Sequence, residues 1–203
     1  MARRDKIKPK NKKPLIVICS EGGNNTSEKI YFSNFKSRNV RIQFSSGNST
    51  DPCGMLDDLK KYIINEDIDN EDNVSIFLII DTDLDNDRIN KIKELESECE
   101  KRNIKIITSA PTFEIWYLMH YRKNGLRFNS SIDVKKELIK VTNGLYKESL
   151  NMYPKIFDSE ESAISISKNI ENNTIKNNEE LYNVNPHSSI YKIIEKIREL
   201  EKI

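Results

Sequence analysis

The stretch Val74-Ser75-Ile76-Phe77-Leu78-Ile79-Ile80-Asp81-Thr82-Asp83 decides the fold class of this chain. Its apolar part is a short continuous run rich in Ile, the pattern of a strand buried on both faces, and it stops at two carboxylates separated by one residue. Strands of this kind belong to parallel sheets covered by helices, and the first polar residues beyond them emerge where open α/β sheets place their sites. Toward the N-terminus, Leu15-Ile16-Val17-Ile18-Cys19 repeats the pattern and is followed by Glu21. Toward the C-terminus, Ile104 to Thr108 repeats it before Glu114.

The segments between these runs change period from strand to helix. Glu28 to Arg38 predicts a helix with Ile30, Tyr31 and Phe35 on its apolar side, and Val40 to Phe44 a strand. Asp51-Pro52 opens a helix in which Met55, Leu56, Leu59, Tyr62 and Ile63 recur at helical spacing. Ile89, Ile92, Leu95 and Cys99 mark one face of another that ends near Asn103. This β-α-β-α-β-α-β order predicts an α/β fold, a mainly parallel sheet with helices on both faces.

Past Ser109 no further strand is expected. Phe113 to Tyr121 is apolar nearly all round, which predicts a buried helix. Ile132 to Val141 and Asp158 to Ile170 read as helices, the latter opening on Asp158-x-x-Glu161 in the manner of a capping box. Asn169 to Asn185 reads as an exposed connection, and Asn185-Pro186-His187-Ser188-Ser189 as a turn and cap. The last helix carries Ile190, Ile193, Ile194, Ile197 and Leu200 as its core stripe. The division expected is a basic arm over 1-13, an α/β core over 14-122 and a helical extension over 123-203 packed on the core.

Composition narrows the class. With 203 residues the chain is long enough for one α/β domain, which buries about 70% of its unfolded surface. No apolar stretch approaches the roughly 20 residues of a membrane span, and no signal-peptide core follows the basic N-terminus, so a soluble, cytoplasmic protein is expected. Cys19, Cys53 and Cys99 are widely separated and accompanied only by His120 and His187, which argues against a disulfide frame or a zinc site. Cys19 and Cys99 read as core residues, and His120 as a buried, hydrogen-bonded histidine. A net charge of +1 makes no global demand for a nucleic-acid partner. Locally, Arg3, Arg4, Lys6, Lys8, Lys10, Lys12 and Lys13 form a basic arm suited to phosphate contact or to solubility.

Glu21, Asp81 and Asp83 are the candidate metal ligands. Mg²⁺, or Mn²⁺ in its place, takes oxygen ligands and is held by one or two protein carboxylates together with substrate phosphate oxygens. In an extended Asp-x-Asp both side chains point to the same side, so both can reach one ion. A third carboxylate can hold a second ion or take a proton. Acids after strands also serve plainer ends: Asp85 or Asn86 can cap a helix, and Glu114 in a first helical turn is favoured by the macrodipole. Gly22 and Gly23 allow close backbone approach to a phosphate, yet no Gly-x-x-x-x-Gly-Lys-Ser/Thr follows, which excludes a nucleotide P-loop. A receiver-like phosphoacceptor would require a lysine after a fifth strand, which the sequence lacks.

Taken in order, these residues resemble the RloB-like family, whose core is similar to the Toprim domain of topoisomerases, primases and related nucleases. The resemblance rests on the basic arm leading into Pro14 to Cys19, Glu21-Gly22, Tyr31-Phe32, Asp81-Thr82-Asp83, Pro111-x-Phe113-Glu114-x-Trp116-x-Leu118-x-His120, Tyr146-Lys147, and Asn185-Pro186 with Ser189. It implies a Toprim-like fold in which Glu21, Asp81 and Asp83 bind Mg²⁺ for phosphodiester hydrolysis; Glu114, expected from chain order at the same sheet edge, is a further catalytic candidate. It also implies a nucleic-acid substrate, RNA such as tRNA or DNA, for which the loop glycines Gly22 and Gly23 and the arm residues Lys12 and Lys13 are the candidate contacts. The implied setting is anti-phage defence or abortive infection, with a partner ATPase encoded nearby and a homodimer as a further association. The chain departs from the usual Glu-Gly-x-x-Thr-Glu run, reading Glu21-Gly22-Gly23-Asn24-Asn25-Thr26-Ser27-Glu28, and has Thr82 where a basic residue is common. The alternative is a non-catalytic Toprim-like adaptor or regulator of the partner ATPase.

Overall fold

Leu15, Val17 and Cys19 face one way and Ile16 and Ile18 the other, and this alternation in a fully buried strand organises two hydrophobic cores. The computed structural model describes residues 13–23, 25–36, 39–121 and 126–202. Among them, β1 (Leu15–Cys19) lies between β2 (Arg41–Phe44) and β3 (Val74–Asp81), with β4 (Ile104–Ala110) beyond β3. All these pairings are parallel, with Val17 opposite both Gln43 and Ile76, and Leu78 opposite Ile106. The sheet is thus α/β and mainly parallel with helices on both faces, consistent with a Toprim-like fold.

One face is covered by α2 (Pro52–Asn65) and α3 (Asn86–Lys101), whose Met55, Leu56, Leu59, Ile92, Leu95 and Cys99 pack on Leu15, Val17, Leu78 and Ile80. Both helices start as the sequence predicts. Asp51 accepts from the Cys53 and Gly54 amides ahead of Pro52, and Asp85 from those of Asp87 and Arg88.

The other face is thicker. There α1 (Ser27–Phe32), α4 (Glu114–Met119), α5 (Ser131–Val141), α6 (Tyr153–Ile156), α7 (Glu160–Lys176) and α8 (Tyr191–Glu201) supply one continuous core with Ile16, Ile18, Phe77 and Ile79. Tyr31 is its hub, with ring centroids 5.2–6.4 Å from those of Phe32, Phe113, Trp116 and Tyr117. Its hydroxyl donates to Glu160 Oε1 at 3.0 Å, and Arg198 holds the other oxygen of the same carboxylate at 2.6 Å. Tyr117 OH donates to the Ser27 carbonyl at 3.0 Å, which pins the first turn of α1 against α4.

Four expectations differ from the structure. A two-residue strand, β5 (His187–Ser188), pairs antiparallel with the end of β4, so the segment read as a turn completes the sheet. His187 explains its hold: Nδ1 meets the Val184 carbonyl and Nε2 meets Thr108 Oγ1, at 2.8 and 2.9 Å. The first helix is shorter than expected, giving way to a 3₁₀ turn at Ser33–Phe35. Near Asp158 the capping box does not form, because Glu161 pairs with Arg198 and the chain passes through a 3₁₀ turn (Phe157–Ser159) before α7. That helix then runs on to Lys176, through residues read as a connection, with Thr174 buried and its hydroxyl returned to the Ile170 carbonyl.

Candidate functional site

Asp81 is the last residue of β3 and follows Phe77 and Ile79 on the face of the sheet that carries α1 and α4. Its carboxylate therefore enters the thick side of the molecule, where two further acids wait. Glu28 is buried in the first turn of α1, and Glu114 is buried at the start of α4. Glu114 Oε1 accepts from Ser27 Oγ at 2.9 Å and Tyr146 OH at 2.7 Å. Thr112 Oγ1 stands 2.7 Å from Glu114 Oε2 and 2.9 Å from Asp81 Oδ2.

A hydroxyl has one proton to give, so Thr112 cannot donate to both carboxylates. The conflict disappears if Asp81 keeps a proton of its own, and its surroundings favour that state. Burial, then the charges of Glu28 and Glu114, push the Asp81 carboxyl well above the ordinary carboxylate range. Burial pushes Glu28 up to about 7, and Glu114 adds to the shift. Asp81 Oδ1 is buried with no hydrogen-bond partner. In this set of three acids the proton affinities of Asp81 and Glu28 are raised and one oxygen is bare, although among the described residues the three are no more arranged as a three-ligand metal group than Glu21, Asp81 and Asp83 are.

Glu21 and Asp83 stand apart from that set. Glu21 Oε1 accepts from the Asp81 amide at 3.4 Å and from Arg88 Nη2, in an ion pair. Arg88 Nε bonds the Asp81 carbonyl and lies 3.6 Å from Asp83 Oδ2, while Nη1 donates to the Thr50 carbonyl at 2.7 Å. The alternation expected to aim Asp83 alongside Asp81 ends with the strand. Asp83 and Leu84 have φ of +51° and +58°, and the Asp83 side chain is 47% exposed. Partial burial and Asp85 raise the Asp83 carboxyl, and Lys135 opposes them. Among the described residues no group of three or more His, Cys, Asp or Glu side chains is arranged to hold a metal ion, so Glu21, Asp81 and Asp83 do not converge as one trio.

In the loop between β1 and α1 Gly23 faces open space, whereas Gly22 packs close to Thr26, whose Cγ2 would lie 3.1 Å from an added Cβ. Gly22 has φ of +72°, which a side chain would strain, and a Cβ on Gly23 would meet nothing within 4 Å. Lys29, buried, donates to the Gly22 carbonyl at 3.3 Å. Lys13 is exposed just before β1, and Lys12 with the rest of the basic arm lies outside the described residues. Lys135 of α5 is the cation that the sequence did not single out. Burial lowers its pKa, but Glu148, Glu114 and Asp81 outweigh that and raise it, which places it within electrostatic reach of the acids. Glu28 was also missed as a site residue; its one signal was its position at the end of the Glu-Gly run.

His120 is buried, with Nδ1 2.8 Å from the Trp116 carbonyl, and burial lowers its pKa to about 4. It is a neutral packing residue, as expected. Cys19 and Cys99 are buried, and burial raises both thiols.

Fold and site together define an α/β protein with a parallel sheet and an acidic centre at the carboxyl end of its middle strand. The chain belongs to the RloB-like protein family, which matches it over residues 16–197. No curated protein and no solved structure matches it. No helix among the described residues is long and apolar enough to cross a membrane.

Proposed function

We propose that this protein is a metal-dependent nuclease that hydrolyses phosphodiester bonds in RNA, such as tRNA, or in DNA, as an effector of anti-phage defence. The observation that carries the reading is Asp81 at the end of the central strand: the residue keeps some exposure, but its Oδ1 is buried and bare and two other acids crowd it. Mg²⁺ or Mn²⁺ fits this donor set, since either ion needs only one or two carboxylates and removes the repulsion that now raises Asp81 and Glu28. Asp81 would hold the ion, with Glu28 or Glu114 beside it. Bound there, the ion supplies Lewis-acid polarisation of a phosphoryl oxygen.

The remaining chemistry belongs to the chain. Glu28, buried in the first turn of α1 beside this centre, would take the proton of the attacking water at its carboxylate. Thr112 and Tyr146 orient Glu114 and keep its oxygens fixed. Gly23 leaves room for a phosphate to approach the loop backbone, Lys135 supplies positive charge near Glu114 and Asp81, and contact of Gly22, Lys12 and Lys13 with substrate is part of the proposal. Arg88 holds Glu21 and Asp83 at the rim. The partners that go with this reading, nucleic acid as substrate, an ATPase encoded nearby and a second copy of the chain, rest on the family resemblance.

The test is incubation with total RNA and with DNA, with and without Mg²⁺, for wild type, Asp81→Asn, Glu28→Gln and Glu21→Gln. Cleavage that needs Mg²⁺ and disappears in Asp81→Asn supports the reading; cleavage indifferent to Asp81 removes it. A second reading, an adaptor for the ATPase, is favoured by the exposed Ile132 and Ile139, which share one side of α5 at 61% and 44% exposure. Absence of cleavage by wild type in the presence of the ATPase would decide for it.

A further inference from the structure

We propose that Arg88 is the fixed second positive charge of this site, its guanidinium standing where a second divalent ion would otherwise sit, so that the site takes one cation, at Asp81. The inference rests on the nuclease reading and specifies its centre. Arg88 lies in the first turn of α3, and its side chain runs back over the carboxyl edge of the sheet instead of outward to water, only 14% exposed. Its donors reach three different loops. Glu21 comes from the loop after β1, Thr50 from the loop after β2, and the Asp81 carbonyl and Asp83 from the end of β3. Two of these four acceptors are carboxylates with no other cation paired to them among the described residues.

An ion bridging Glu21 and Asp83 would have to displace this guanidinium. Arginine keeps its charge under all ordinary conditions, and its planar fork bonds in several directions at once, which a lysine ammonium on a flexible stem does not reproduce in the same geometry. Bonded to the Asp81 carbonyl at the sheet edge, the guanidinium is a positive charge that does not need to be loaded from solution. A purely structural clasp for three loops would use the same bonds, so the test must read the ions.

The experiment is titration of the metal-free chain with Mn²⁺ alone, following bound and free ion by calorimetry and by electron paramagnetic resonance. Wild type is expected to bind one Mn²⁺. Arg88→Met, which keeps the bulk of the stem and frees Glu21 and Asp83, is expected to bind two. Arg88→Lys, which keeps the charge, is expected to stay at one. Two ions on wild type, or one on a folded Arg88→Met, overturns the role of Arg88 while leaving the metal centre standing. No Mn²⁺ on wild type overturns the metal centre itself and the inference with it. If Arg88→Met does not fold, the wild-type and Arg88→Lys stoichiometries decide, and two ions on either overturns the proposal.

Discussion

The acids at this sheet edge fall into two neighbourhoods with opposite electrostatics. Glu21 and Asp83 share the guanidinium of Arg88, whereas Asp81, Glu28 and Glu114 are gathered on the other side of β3 with hydroxyl groups for partners and one carboxylate oxygen bare. Charges paired with a cation are at rest. Charges buried together without one are unstable in their ionised forms and must hold protons or a metal. Under the proposed function, the difference separates acids that would shape the site from acids that would do its chemistry.

The comparison can be broken most sharply at Asp81. Asp81→Asn should lower Mg²⁺-dependent cleavage by roughly 10³-fold or more, the scale of losing a principal electrostatic element, as measured by single-turnover assays. The same substitution replaces a carboxyl that its surroundings keep protonated with a neutral amide of the same shape, so thermal unfolding in EDTA should show no loss of stability. A large loss there would mean that the buried acids are at rest too. Glu21→Gln should do the reverse: it leaves a neutral acceptor for Arg88 and costs about 1–2 kcal/mol. Calorimetric unfolding should show this as a drop of several degrees.

Glu28→Gln should stabilise the metal-free chain by on the order of 1 kcal/mol at about pH 8, read as a rise in Tm. The sign follows from the raised pKa. Between its unfolded value and about 7 the folded state binds more protons than the unfolded one at Glu28. The stability contributed by that proton is therefore present at low pH and lost as pH rises through about 7. The stabilisation by Mn²⁺ should grow over the same window, because the ion displaces the proton, and a thermal shift independent of pH would separate the ion from this acid. His120 and His187 act in the opposite direction. Burial lowers each to about 4, so their contribution is present above about 6.5 and lost as pH falls toward 4. The difference between wild type and Glu28→Gln isolates the acid from these histidines.

Much of the fold was legible in the chain. The runs ending at Cys19, Ile80 and Thr108 read as buried parallel strands because a strand covered on both faces has no polar side to show. The N-caps at Asp51 and Asp85 and the apolar stripe of α8 were likewise local patterns with local causes. The reach of α7 was not legible: its Asn-rich half lacks a strong stripe, and tertiary packing carries it. Nor was β5, whose two residues are strand only because β4 offers an edge.

For the site, the sequence by itself determined that carboxylates would stand at the ends of the strands, since chain order and strand length settle which residues come next. Only the tertiary structure decided which of them meet. A left-handed turn at Asp83 ended the alternation, the packing of Tyr31 and Tyr117 brought Glu28 inward, and Arg88 reached across three loops to claim Glu21. Such choices depend on side chains far apart in sequence, and their energies come from burial and charge, which no local pattern of residues records.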